Sequence, residues 1–165
     1  MLWMNSLKDL LIDQLQDLYD AEKQLVKALP KMADAASNDE LKHAFEQHLR
    51  ETEGQVTRLE RCFEKLGAQT KAKTCEAMKG LIEEGKDIIS QWGDAEVRDA
   101  GLIAAAQKVE HYEMAGYGCC RTWAQQLGQQ DVAQILQQTL DEEKQADTKL
   151  NRIAEQLVNL QAAHS

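Results

Sequence analysis

The sequence predicts an all-α fold, a bundle of four long helices with a helical crossover between the second and third, and three observations predict it. Apolar residues recur at alternating spacings of three and four through most of the chain, the period of one helix face. A single proline interrupts that pattern. Glycines stand where it stops, at Gly67, Gly93 and Gly128. With 165 residues, 43% of them apolar, the chain is long enough for one well-buried core and short for two, so a single domain over 1–165 is expected.

The first helix is expected over about 6–36, capped by Asn5 or Ser6, with its seam through Leu11, Leu15, Leu18, position 22, Leu25, Leu29 and Met32. Pro30 removes one backbone hydrogen bond late in this helix and should kink its last turn. Ser37 with Glu40 three residues on reads as a capping box, opening a second helix over about 38–66 that folds back on the first. From 68 to 93 the apolar signal thins, and Gly80 and Gly85 interrupt it. This stretch is expected to cross back along the bundle with one or two short amphipathic turns. A third helix over about 95–127, capped near Asp94, and a fourth over about 131–162 complete the expected bundle, with Leu160 to Ser165 fraying.

Each helix carries an acid on its apolar stripe. Glu22 stands between Leu18 and Leu25, where an unpaired carboxylate is costly. In the second helix His48, Glu51, Thr52 and Gln55 interrupt the seam. The third holds Glu110 and Glu113 between Ala106 and Tyr117, and the fourth holds Glu143 between Thr139 and Leu150. Depth can be judged by reflection about each reversal. Glu22 and Glu51 mirror one another about 36 and 37; Glu113 mirrors Glu143 about Gly128, and Glu110 nearly mirrors Asp147. Both hairpins thus bring carboxylates to one level near mid-bundle.

Such acids can be answered by Lys or Arg, reach solvent, or share protons. The inward stripes carry no Lys or Arg at that depth; Arg58 and Lys144 sit beside them. Divalent cations relieve the repulsion with hard oxygen ligands. Glu22, Glu51, Glu110 and Glu143 are the expected ligands, with Glu113 or Asp147 completing or bridging the site. His48, one turn from Glu51, is either a ligand or a hydrogen-bonded core histidine. Gln55 and Tyr112 or Tyr117 are expected to hydrogen-bond to the ligands.

Composition narrows the partners. A net charge of −9 repels nucleic-acid backbones and anionic membranes, and no run reaches the roughly 18 to 20 apolar residues of a membrane span. The first fifteen residues lack the basic start and apolar run of a secretory signal, which points to the cytoplasm. Cys62, Cys75, Cys119 and Cys120 show neither metal-site nor disulfide-framework spacing and read as reduced thiols.

The segments Ala21 to Leu25, His48-Leu49-x-Glu51-Thr52-x-x-Gln55, Arg98 through Glu110-His111-Tyr112-Glu113, and Glu143-Lys144-x-x-Asp147 together resemble the YciE/YciF-type ferritin-like proteins of bacteria over nearly the whole chain. The resemblance implies a ferritin-like bundle related to rubrerythrin, a homodimer and a link to stress responses. Apolar residues outside the seams, Leu10, Val26, Val56, Leu102, Val109 and Ile153, also suggest a covered face. Ferritin-like di-iron sites take a Glu-x-x-His motif from each of two helices. Here Gly54 follows Glu51 by three and Ala146 follows Glu143 by three, while Gln55 and Asp147 stand four after. That oxygen-rich set favours iron or manganese, in a dinuclear centre, over zinc or copper. The expected function is a stress-related protein with such a centre and weak peroxidase or ferroxidase activity. The alternative is a non-catalytic helical dimer, a structural or protein-interaction module with a vestigial or single-ion core.

Overall fold

The computed structural model describes residues 4–165; the first three positions of the expected domain lie outside the described residues. The long helices are α1 (Leu7–Ala35), α2 (Asp39–Lys65), α3 (Glu76–Ser90), α4 (Ala95–Gln126) and α5 (Gln130–Ile153). A π-helical turn, Ala154–Val158, and the short α6 (Asn159–Ala162) extend α5, so the fourth expected helix stays helical but widens near its end. There is no strand among the described residues.

Local chemistry sets the ends. Ser6 Oγ accepts from Asp9 N at 3.0 Å and begins α1. Pro30 lies inside α1, which runs on to Ala35. The second cap differs from the capping box expected at Ser37: Asn38 Oδ1 accepts from Leu41 N at 3.0 Å. The reason is an acid from another helix. The buried Asp99 of α4 accepts from Ser37 N at 2.9 Å and from Asn38 N at 2.7 Å, so the α1–α2 turn is held from across the bundle. Gly67 (φ 64°) and Gly128 (φ 72°) end α2 and α4 in the left-handed conformation, where glycine carries no Cβ penalty.

The crossover contains one 15-residue helix rather than one or two short turns. Its approach is pinned to α1 by Lys73, whose Nζ lies 2.9 Å from both oxygens of the buried Asp13, and by Cys75 N, which donates to Asp20 Oδ2 at 2.8 Å. The glycines that obscured this helix in the sequence permit close packing. Gly85 of α3 faces Ala105 of α4, and Ile88 of α3 lies over Gly101 of α4.

The four long helices α1, α2, α5 and α4 form a closed ring of neighbours, and α3 rests on the α1–α4 side. Two apolar clusters fill the ring, one around Leu25, Met32, Phe45 and Leu102, the other around Leu11, Leu15, Phe63, Tyr117 and Leu136. Of the apolar positions outside the seams, Leu102, Val109 and Ile153 are buried within the chain itself, while Leu10, Val26 and Val56 are half-buried. The four cysteines are free thiols, and only Cys119 is exposed. No described helix is long and apolar enough to cross a membrane.

Candidate metal centre

Between the two apolar clusters lies a polar layer supplied by all four ring helices. Glu22 comes from α1, His48 from α2, Glu110 and Glu113 from α4, and Glu143 from α5. Glu22, Glu113 and Glu143 are 0% exposed, Glu110 1% and His48 7%. Each faces inward because it takes a seam position that a leucine would otherwise fill. One donor atom from each of His48, Glu110, Glu113 and Glu143 can be chosen so that all four lie within 4.8 Å of one another.

His48 Nε2 lies 2.8 Å from Glu110 Oε1 and 4.0 Å from Glu143 Oε2, and Nδ1 lies 3.7 Å from Glu51 Oε2. Neither ring nitrogen meets these oxygens at a hydrogen-bonding angle. Tyr117 donates its hydroxyl to Glu22 Oε1 at 2.5 Å, making it the tyrosine that touches the layer. Tyr112 instead donates to Asp17, with Cys75 Sγ 3.0 Å from its hydroxyl, and ties α4 to α1 and α3. Arg58 is already engaged: it makes two bonds of 2.6 Å to Glu142, and Gln55 Nε2 donates to the same carboxylate at 3.0 Å. Six buried carboxylate oxygens are left without a hydrogen-bond partner: Glu22 Oε2, Glu110 Oε2 and both oxygens of Glu113 and Glu143.

Without a cation the layer must hold protons. Burial, then repulsion from Glu143, Glu22 and Glu110, pushes Glu113 well above the usual carboxyl range. Burial followed by repulsion from Glu110 does the same to Glu143. Burial raises Glu22 to about 7 although the Tyr117 hydroxyl pulls it down. Burial would also neutralise His48, but Glu110 outweighs it and raises the imidazole well above its ordinary value. Glu110 is lowered: burial pushes it up, and the charge of the neighbouring His48 overcomes that. These directions favour charge on His48 and Glu110 and protons on Glu113 and Glu143.

Three of the seven sequence candidates stand outside the four-residue group: Glu22 is buried in the same layer, while Glu51 and Asp147 lie apart from it. Glu51 is half-buried at the rim, where Gln47 Nε2 donates to it at 2.8 Å. Lys149 Nζ donates in turn to Gln47 Oε1 at 2.8 Å. These residues line a cleft of about 150 Å³ between α2 and α5 that reaches His48. Asp147 is also half-buried, and it faces Gln107 Nε2 and His111 Nε2, each at 3.4 Å. Gln47 and Lys149 were not among the sequence candidates; their only signal is adjacency to the seam residues His48 and Leu150.

The donors fit a hard or borderline divalent cation. Orphaned carboxylate oxygens, one imidazole and no lysine or arginine in the group suit such an ion. The His48, Glu110, Glu113 and Glu143 group could therefore hold a metal ion.

Fold and site together define an all-helical protein with a histidine–carboxylate cluster buried at mid-bundle. The chain belongs to the family described as a domain of unknown function, DUF892, whose model matches residues 6–163. It is 49% identical to Protein YciF of Escherichia coli K12 over 160 residues, covering 96% of each chain. The crystal structure of the E. coli stress protein YciF superimposes with a TM-score of 0.91, covering 94% of this chain and 99% of that one. YcfI of Rhodopseudomonas palustris, provisionally called a structural protein, is 42% identical with a TM-score of 0.87, covering 91% and 98%. A Xanthomonas campestris protein is 26% identical with a TM-score of 0.75, covering 96% and 98%.

Proposed function

We propose that this chain is a stress-related protein that holds a dinuclear iron or manganese centre in its mid-bundle layer, with weak peroxidase or ferroxidase activity. The observation that carries the reading is the set of six unpartnered carboxylate oxygens in a layer closed to solvent. A buried acid without a partner is costly, and four of them in one layer are sustained either by shared protons or by cations. Glu113 feels the charges of both Glu143 and Glu22, so its carboxylate would be shared between the two ions of such a centre. His48, Glu110 and Glu143 would hold one ion with Glu113, and Glu22, whose carboxylate the Tyr117 hydroxyl fixes, would help to hold the second. Glu51 at the rim is the acid an arriving ion meets, beside the cleft that leads to His48. Asp147, turned toward Gln107 and His111, flanks the layer and adds negative potential to it.

A bound redox-active ion would supply the electron exchange with peroxide or dioxygen. The chain's own residues hold, orient and shield it: the apolar clusters exclude bulk water, and the protons on Glu113 and Glu143 leave as cations enter. The stress role rests on the relative YciF, which is called a stress protein. The half-buried Leu10, Val26 and Val56 support a homodimer.

A second reading has its own support. The group offers only one imidazole, and a relative is provisionally called a structural protein. On that reading the layer is vestigial or holds one structural ion. Metal analysis of protein purified without chelator separates the two: two iron or manganese ions per chain are expected, together with peroxide-dependent ferrous oxidation above buffer that Glu143→Gln removes. One ion per chain without turnover favours the structural reading, and none at all overturns the metal centre.

A further inference from the structure

Away from the mid-bundle layer, an apolar groove of about 260 Å³ lies between α1, α3 and the flank of α4. Leu25, Ala28, Met32, Ile82, Ile89 and Val109 form its walls. Its rim is basic in an acidic protein. Lys27 and Lys31 of α1 and Lys79 and Lys86 of α3 border the opening, and Glu83 is the one acid among the lining residues. Glu83 is bound by Lys86 at 2.5 Å, and Lys79 lies 3.7 Å from Glu76. Lys27 and Lys31, one turn apart and exposed, have no carboxylate within ion-pair distance among the described residues.

We propose that this groove binds the anion of a medium-chain fatty acid, its alkyl tail between α1 and α3 and its carboxylate on Lys27 and Lys31. The size fits: at the ~30 Å³ of a water-sized group, the space takes a tail of about nine carbons. An acid head group on an apolar tail satisfies both the wall and the rim.

Calorimetric titration of the intact protein with decanoate tests this. The expected result is one decanoate per chain with half-saturation well below ~1 mM. Decanol, which keeps the tail and loses the charge, should bind at least tenfold more weakly, as should decanoate to the K27E/K31E variant. Ala28→Phe should fill the groove and abolish binding, with circular dichroism checking its fold; the exposed lysine pair carries the test if that variant does not fold. Absence of saturable binding overturns the proposal. So does equal affinity for decanol, or binding unchanged in the lysine variant. Light scattering that shows either variant turning a dimer into a monomer assigns the groove to a second copy and overturns it too.

Discussion

The apolar cluster around Phe63 and the acidic layer at mid-bundle are equally buried, yet they contribute to the fold with opposite sign. Phe63 is 0% exposed and meets Tyr19 edge-on with ring centroids 5.8 Å apart, so its burial stabilises the folded chain directly. Glu113 is also 0% exposed, and neither of its oxygens has a partner. Its burial is a cost that the rest of the bundle carries. The comparison teaches that depth alone says little: one region is stable as it stands, and the other is stable only with protons or cations in it.

The largest effect should come from the apolar side. Phe63→Ala is expected to cost about 3–5 kcal/mol, measured by chemical denaturation, because a packed bundle only partly closes the cavity. A cost below that of an exposed substitution would break the contrast. Next is the metal response. Ferrous iron or manganese at about one hundred times its dissociation constant should add ~2.7 kcal/mol of stability, a rise of several degrees in melting temperature. The E22Q/E110Q variant should lose that rise while keeping its helical circular dichroism; a full rise in the variant would place the site elsewhere.

Smaller again is the turn held from across the bundle. Asp99→Ala removes the acceptor for Ser37 N and Asn38 N and should cost about 1–2 kcal/mol without altering metal stoichiometry. The shallowest effect is that of pH on the metal-free protein. Glu22, Glu113 and Glu143 are raised in the folded state, so their contribution is full below the unfolded carboxyl value of 4.5 and is lost as pH rises through the folded values, about 7 for Glu22. His48, also raised, loses its contribution in the same direction as pH climbs through its folded value. Glu110 is lowered and so loses stability only as pH falls below 4.5. Thermal melts should therefore be highest near pH 5 and lower at pH 8, and Glu113→Gln should flatten that decline. A melting temperature that rises from pH 5 to pH 8 would contradict the proton-sharing layer.

Much of this contrast was legible in the sequence because both regions use the same seam. An acid between leucines at helical spacing, as at Glu22, Glu110 and Glu143, declares its inward direction whatever its chemistry. Reflection about a turn gives height along the bundle but not rotation about the helix. That is why Glu51 reads as level with Glu22 yet stands at the rim: the buried line of α2 runs His48, Thr52, Gln55, Leu59 and leaves Glu51 beside it. Asp147 shares the difficulty, one turn beyond Glu143 but rotated toward Gln107. The helix α3 was obscured for another reason. Gly80 and Gly85 lower helix propensity, and only the tertiary contact of Gly85 with Ala105 and of Ile88 with Gly101 shows what Gly85 offers in return. The cap at Asn38 depended on Asp99, more than sixty residues away, which no local pattern announces.

The acidic layer also divides the core into two oily halves joined only by helices that pass through both. Each half can loosen without emptying the other, so amide protons around Phe63 and those around Phe45 should exchange as two separate populations in the metal-free chain. An ion held by donors from α2, α4 and α5 at the boundary would make the two halves open together. In that sense the costly layer sets the size of the cooperative unit, and the protein's metal content becomes readable from the timing of its hydrogen exchange.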